Sequence, residues 1–462
     1  MGKRLRLLVI LLLTAGLAGC DEARAPGSYT SSDTAALAPA DATDLTSGNT
    51  GGEHPDQVPG ELITLKFFTA LADRANGSGK VEQDIIDAYM MSHPNVQIDV
   101  EALQDEPYKT KIKVYASSNQ LPDIIQAWGQ PSFLNPLLSN NLLLELDRAE
   151  FEDDGFVTSS IEGFSRDGKL YGLPRSADFM VMYYNKQIFA ENGITVPKTT
   201  ADLLDAAVRL RNHGILPVAI NGLDGWTLPI WYEFMAQRHN GDFGRMDDAA
   251  TGTIPFTSPG FTEAAAEMQQ FAFAGGFADG WLSTDYGTAR NLFVQGQAAM
   301  FFMGAWESGL ATDENFSREF RSNVGAFAFP ASDLGKASDI AAWYGGGYSV
   351  SRTSKHPEAA VEFLKYFFAP EHWSKMLWQT GAGTPAQDFD QFLTGNETQL
   401  QKELIEIYSA MTSSSGTPLQ DIGDEQFKQK VMESHRNLLS GISTPQVFVE
   451  ELNEAAKQLA GQ

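Results

Sequence analysis

Along most of this chain, short stretches that alternate or run apolar give way to stretches with helical spacing. "LITLKFFTA" (62–70) has the length and alternation of a strand. From Lys80 to Ser92, Val81, Ile85, Ile86 and Tyr89 fall on one helical face. "NVQIDVEAL" (95–103) predicts a second strand, Tyr108 to Ala116 a helix, and "PDIIQAW" (122–128) a third strand. This strand–helix order predicts an α/β fold with a largely parallel sheet covered by helices. After residue 175 the alternation resumes. A helix over 201–212 precedes the strand "LPVAIN" (216–221). Helices over 259–275 and 285–296 lead to strands "AAMFFM" (298–303) and "VGAFAFP" (324–330). The last 100 or so residues read as mostly helical, and no internal repeat is visible.

The first 60 residues follow a different pattern. Lys3, Arg4 and Arg6 precede an apolar run from Leu7 to Leu13, and small residues lead on to Gly19. A basic start, a short apolar run and small residues before a cut site describe an export signal. The run is too short to span a bilayer, which takes about 20 residues. Leu17-Ala18-Gly19-Cys20 resembles the lipobox of bacterial lipoproteins, and Cys20 is the only cysteine in the chain. One cysteine excludes a disulfide framework. The resemblance implies cleavage after residue 19, with a diacylglyceryl group on the Cys20 thiol and fatty acylation (palmitate, for example) of the new amino terminus. Asp21 resembles the signal that retains Gram-negative lipoproteins at the periplasmic face of the inner membrane; in a Gram-positive cell the anchor would face outward. Residues 20–60 are rich in Ser, Thr, Ala, Gly, Pro and Asp and poor in large apolar side chains. Such a segment cannot offset its ordering entropy by burial. It is expected to act as a flexible leash of about 35 Å reach.

Roughly 400 residues remain, enough for two domains by the usual size of a core. The chain carries a net charge of −26, which becomes −29 once Lys3, Arg4 and Arg6 leave with the signal. This charge argues against nucleic acid and against direct adsorption to an anionic membrane.

Three stretches resemble one family. "DGKLYGLPRSADFMVMYYNKQIFAENGITVPKT" (167–199) is similar to its G-x-x-Y-G-x-P, Y-Y-N-K and G-x-x-x-P-x-T motifs. "FVQGQAAMFFMGAW" (293–306) is similar to F-x-x-G-x-A-A-M-x-x-x-G-x-W. "GGGYSVSRTSKHPEAAVEFLKYF" (345–367) resembles its Gly-rich turn, strand and A-x-x-F-L-K helix, and Pro385 fits a G-x-x-P. The family is the extracellular solute-binding proteins of ABC importers, in the branch of maltose-type sugar binders. Thr200 departs from the family's frequent Trp at that place. The resemblance implies a two-lobed periplasmic-binding-protein fold with discontinuous lobes, hinge strands and a central ligand cleft. The chain would cross near Pro174, near Gly347 and near residue 395. The lobes would then be 61–174 with 348–395 and 175–347 with 396–462. It also implies a monomer that takes up a sugar and hands it to the transmembrane subunits of a permease, with no cofactor and no catalysis.

Ligands of open α/β sheets bind beyond the carboxyl ends of the strands. Trp128, followed by Gln130, ends one predicted strand; Trp306, followed by Glu307, ends another. Trp343 and Tyr344 precede Gly345-Gly346-Gly347, and Trp226 stands in "NGLDGWT". Indole faces suit the C–H face of a pyranose, worth about 0.5–1.5 kcal/mol per good contact by analogy with ring pairs. Arg175, Asp178 and Glu307 are candidates for hydroxyl contacts, at about 1.5–3 kcal/mol each for charge-assisted bonds. Gly346 would let the backbone approach the ligand. Surface ion pairing of the charges and plain packing of the rings are the alternatives. Trp231, Trp281, Trp373 and Trp378 sit in helical contexts and are expected to pack.

"NGSGKV" (76–81) lacks the first Gly and the Ser/Thr of a phosphate loop and reads as a flexible loop. Tyr183-Tyr184 invites an iron-site reading, but adjacent strand residues face opposite ways. The seven His show no metal-ligand spacing, and no G-x-S-x-G is present. An exported lipoprotein enzyme acting on carbohydrate, or a binder of a polyol or other small solute, stands as the alternative reading.

Overall fold

The computed structural model describes residues 61–461. The signal, the lipobox with Cys20, and the leash lie outside the described residues. Residues 61–461 belong to one compact unit. Within it two sheets each carry their own core.

The first sheet is built from β1 (Ile63–Thr69), β2 (Val96–Ala102), β3 (Ile124–Trp128), β4 (Leu173–Pro174) and, from far along the chain, β10 (Gly346–Val350). Its order is β2-β1-β3-β10-β4. β1 pairs in parallel with β2 and β3, whereas β10 runs antiparallel to both β3 and β4. Helices α1 (Gly77–Ser92) and α2 (Asp105–Ser117) are the crossovers that the alternation predicts. Val81, Ile85, Ile86 and Tyr89 of α1 are all buried in the first core. α3 (Pro131–Ser139) follows β3 directly and buries Leu134 and Leu137 in a neighbouring cluster with Phe68 and Tyr108.

The second sheet contains β5 (Asp178–Asn185), β6 (Leu216–Ala219), β7 (Ala298–Gly304), β8 (Val324–Phe327) and the short β9 (Ala342–Trp343). Its order is β8-β5-β7-β6, with β9 on β5. Only β6–β7 is parallel; β5 runs against β7, β8 and β9. The largely parallel sheet expected from alternation therefore holds for β1–β3 and not here. β5 enters straight from the first sheet, and its neighbours return from more than 100 residues away. Nothing in local periodicity fixes their direction.

A second correction concerns residues 76–81. Instead of a flexible loop, Gly77 opens α1. A Cβ on Gly79 would lie 2.1 Å from the Asp73 carbonyl oxygen, so the absence of a side chain lets the helix start close against the preceding turn. Ser78 Oγ also donates to the Ala382 carbonyl at 2.7 Å.

The larger core surrounds the second sheet and is rich in aromatic rings. Trp231 lies in α4 (Thr227–Asn240) and is fully buried. Its ring centroid lies 5.0–5.2 Å from those of Phe271, Phe277, Phe302 and Phe329. Trp373 and Trp378 are buried, and Trp281 packs on Phe277, as expected of packing residues. Tyr183 is core, with its hydroxyl donating to the Gly304 carbonyl at 3.0 Å, while Tyr184 packs on Phe189 and Phe327. Truncating Trp231 leaves a cavity ringed by four phenylalanines. Trp231→Ala is expected to lose about 3–5 kcal/mol of unfolding free energy, read from the urea midpoint at unchanged slope.

Candidate functional site

The chain passes from the first sheet to the second between Pro174 and Asp178, and returns between Trp343 and Gly346. These passages are bonded to each other and to the end of β3. The Arg175 amide donates to the Gly346 carbonyl at 2.8 Å, and the Gly129 amide to the Gly345 carbonyl at 2.8 Å. Gly346 stands in register with Trp128, and Trp343 with Asp178. Six of the residues singled out from sequence thus meet at one crossing: Trp128, Gln130, Arg175, Asp178, Trp343 and Gly346.

Glycine is required there by close approach. A Cβ on Gly345 would lie 2.3 Å from Gln130 Nε2 and 2.6 Å from the Trp343 ring. A Cβ on Gly347 would lie 2.1 Å from the Leu173 carbonyl oxygen. Over Gly346 lies the Arg175 guanidinium, whose Nε would be 3.2 Å from such a carbon.

Electrostatics at the crossing are tightly coupled. Burial pushes the Asp178 carboxyl up to about 6, against Arg175 and hydrogen bonds from Ser176 and the amides of Gly345 and Gly346. Burial lowers the Arg175 guanidinium, against the charges of Asp178 and Glu82. Arg175 Nη1 reaches Gln126 Oε1 at 3.4 Å. Gln130 is 7 % exposed, and its Oε1 is buried without a hydrogen-bond partner. A buried acceptor left unpaired costs about 1–3 kcal/mol unless a donor arrives.

The second sheet contributes an aromatic wall. Trp306 follows the end of β7, and Trp226 precedes α4. Trp306 stands between Trp226 and Trp343, with ring centroids 6.0 and 6.2 Å away. The Trp306 ring folds back over Gly304, where a Cβ would lie 2.0 Å from it. All three indoles are partly exposed, and Trp226 Nε1 has no partner. The loop holding Trp226 is tied by Thr227 Oγ1 donating to Asn221 Oδ1 (2.7 Å) and by the Tyr286 amide donating to Asp224 Oδ2 (2.7 Å).

Trp128 belongs to the other wall. It packs edge-on against Tyr108 and Phe133, and Lys109 Nζ stands 5.2 Å from its ring centroid. Lys109 in turn pairs with Asp105 and Glu106. The charges of Asp105 and Glu106 reach Asp224 of the facing wall and help to raise its carboxyl, which burial raises most.

Glu307 and Tyr344 are differently placed. The Glu307 carboxylate accepts from Arg290 Nε at 2.8 and 3.0 Å and from the Tyr286 hydroxyl, behind the indoles. Tyr344 meets Tyr408 hydroxyl to hydroxyl at 3.0 Å. Sequence reasoning missed Glu82, Asp224, Tyr286 and Arg290. Glu82 is fully buried beneath Arg175, held by Arg74, Thr69 and Tyr348, and burial raises its carboxyl. Asp224 was visible in principle, two residues before Trp226 in the same turn-rich loop.

Residues 74–372 match the sequence profile of the bacterial extracellular solute-binding proteins. The chain belongs to that family. A multiple sugar-binding protein of Streptococcus mutans is 22% identical over 66% of this solute-binding protein and 71% of its own length. An arabinooligosaccharide-binding protein of Bacillus subtilis is 26% identical over 80% of this chain and 77% of its own. A structure from work on xylan utilization by Caldanaerobius polysaccharolyticus superposes with a TM-score of 0.78 at 27% identity, over 85% of this chain and 99% of that one. The two-lobed α/β architecture and the extracellular solute-binding role are thereby shown, and the family and these curated relatives are substrate-binding proteins rather than enzymes. No helix among the described residues is long and apolar enough to cross a membrane.

The wall depends on the ion pair behind it. Arg290→Met would leave Glu307 buried beside Tyr286 without its cation. A loss of about 3 kcal/mol in urea unfolding is expected, partly recovered when Glu307→Gln is added.

Proposed function

We propose that this solute-binding protein captures a sugar or short oligosaccharide between the Trp226–Trp306–Trp343 wall and the Trp128 wall, and delivers it to an ABC permease. The observation that carries the reading is the grouping of three partly exposed indoles beside the crossing strands, in a chain of this family. Relatives named for multiple sugars and arabinooligosaccharides support a carbohydrate. A ring sugar offers C–H faces to the indoles and hydroxyls to polar atoms that lack partners. The Gln130 Oε1 and Trp226 Nε1 atoms are such an acceptor and donor. Arg175 and Asp178 supply charge-assisted bonds from the crossing. Micromolar affinity needs about −8 kcal/mol, within reach of a few such contacts.

The lobes in this reading are 61–174 with 348–395 and 175–347 with 396–462. They turn about the crossings near Pro174 and Gly347, and near residue 395. The protein acts as a monomer, turns nothing over, and is held to the cell membrane by lipid on Cys20 with residues 20–60 as its leash.

Thermal melting against maltotriose, raffinose, xylotriose, arabinotriose and chitotriose tests it. A cognate sugar at 100 times its Kd should add about 2.7 kcal/mol. For the sugar that stabilises, Trp306→Ala should weaken binding at least about tenfold, or 1.4 kcal/mol, by calorimetry on the folded variant. Hydrolysis of any of these sugars by the pure protein would reverse the reading in favour of an enzyme. For the tether, mass spectrometry of detergent-extracted protein should find a mature chain that begins at an acylated Cys20. An unmodified chain starting elsewhere would refute it.

A further inference from the structure

A polar connection built from side chains also joins the two halves of the molecule, away from the crossing strands. α3, rooted in the first half by Leu134 and Leu137, presents Ser132. A 3₁₀ turn, Leu419–Asp421, belongs to the other half: Leu419 is fully buried in the second core, and its amide donates to the Glu233 carboxylate of α4. Across the gap, Ser132 Oγ donates to Asp421 Oδ1 at 2.6 Å, between residues 289 apart in sequence. Lys428 Nζ donates to the same oxygen at 2.8 Å, and Gln420 Nε2 to Oδ2 at 3.1 Å. One helix turn away, Lys113 of α2 pairs with Glu425 at 3.0 Å.

The connection is sheltered. Ser132 is 8 % and Gln420 1 % exposed. Burial alone would push the Asp421 carboxyl up, yet Lys428, Ser132 and the nearby charge of Lys109 hold it below its ordinary value. Lys109 is the cation over Trp128, so the connection borders the first wall of the cleft. The crossing strands are covalent and hold in any lobe arrangement. The contacts of Ser132 and Lys113 can be made only when the halves are close.

We propose that Ser132, Asp421 and Lys428, seconded by Lys113 and Glu425, form a clasp that biases the sugar-free chain toward the closed arrangement and so sets ligand affinity from outside the ligand contacts. These are positioning residues. The claim about affinity rests on the binding function proposed above, but the clasp itself can be tested without any sugar. Asp421 is fixed from its own half by Lys428, so the bond from Ser132 meets an oriented carboxylate and loses little freedom on closure. Opening exchanges that bond for water.

The experiment is small-angle scattering on the sugar-free mature chain, with amide exchange over residues 131–139 and 418–428. Asp421→Ala and Ser132→Ala should both raise the radius of gyration. They should also speed exchange of these amides by about tenfold, or 1.4 kcal/mol. Lys375→Ala, which removes an exposed pair between a helix and the turn just before it, should do neither. If Asp421→Ala fails to fold, Ser132→Ala decides. Scattering that matches the parent in the folded variants overturns the clasp, whatever the sugar screen shows. A larger radius in them supports it even if no sugar on that panel binds.

Discussion

The close approach of the returning strand to the departing one, at Gly345–Gly347, is the constraint on which the rest of the structure depends. Two backbone bonds, Arg175 to Gly346 and Gly129 to Gly345, place both lobes against the end of one strand. Neither bond could form if residue 345 or 347 carried a Cβ, because Gln130, Trp343 and the Leu173 carbonyl already occupy that space. The crossing therefore does two things at once. It fixes where Trp128, Gln130, Arg175 and Asp178 stand, and, in the proposed reading, it leaves rotation of the lobes to a few residues that have no side chain to catch.

Behind the indoles the structure invests in rigidity. Trp306 is pressed against Gly304, and the residue after it is locked by Arg290 and Tyr286. A ring held in this way loses little freedom when a ligand covers it, so more of the contact energy appears as affinity. On the opposite wall, Trp128 is steadied by Tyr108 and Phe133, with the Lys109 cation over its ring. The polar atoms without partners, on Gln130 and Trp226, lie beside these fixed rings. A rigid apolar face with a few unsatisfied polar atoms is the usual form of a site that selects by hydroxyl placement.

Much of this was legible in the chain. Three strands and two helices of the first half follow from periodicity, since α1 buries the very residues that share its predicted face. The tryptophans at strand ends were legible because a large ring after a buried strand has few core positions to occupy. Other features were not. The antiparallel course of β5 against β7, β8 and β9 depends on where distant segments return, which no local pattern encodes. Glu307 was picked for its position beside Trp306, yet its partner Arg290 stands 17 residues earlier on a helix that reads as ordinary. Ser132 and Asp421 carry no motif at all, and only the fold brings them together.

The crossing and the clasp are polar connections of different kinds, and that difference limits what closure can cost. Moving a two-state equilibrium from 1:99 to 99:1 takes about 5.5 kcal/mol of differential binding. A clasp worth that much would keep the lobes shut without ligand and make release as hard as capture. The one built here is lighter. Lys113 and Glu425 are both well exposed, and exposed pairs contribute little against solvent. Asp421 is sheltered, but it keeps Lys428 as a partner from its own lobe, so opening strands no bare carboxylate in a dry interior. Besides that exposed pair, the Ser132 hydroxyl is what the clasp must give up to water. In the proposed reading, most of the free energy of closure is thus left to the ligand between Trp128 and the three indoles, and a permease that recognises the closed form would read occupancy of the cleft.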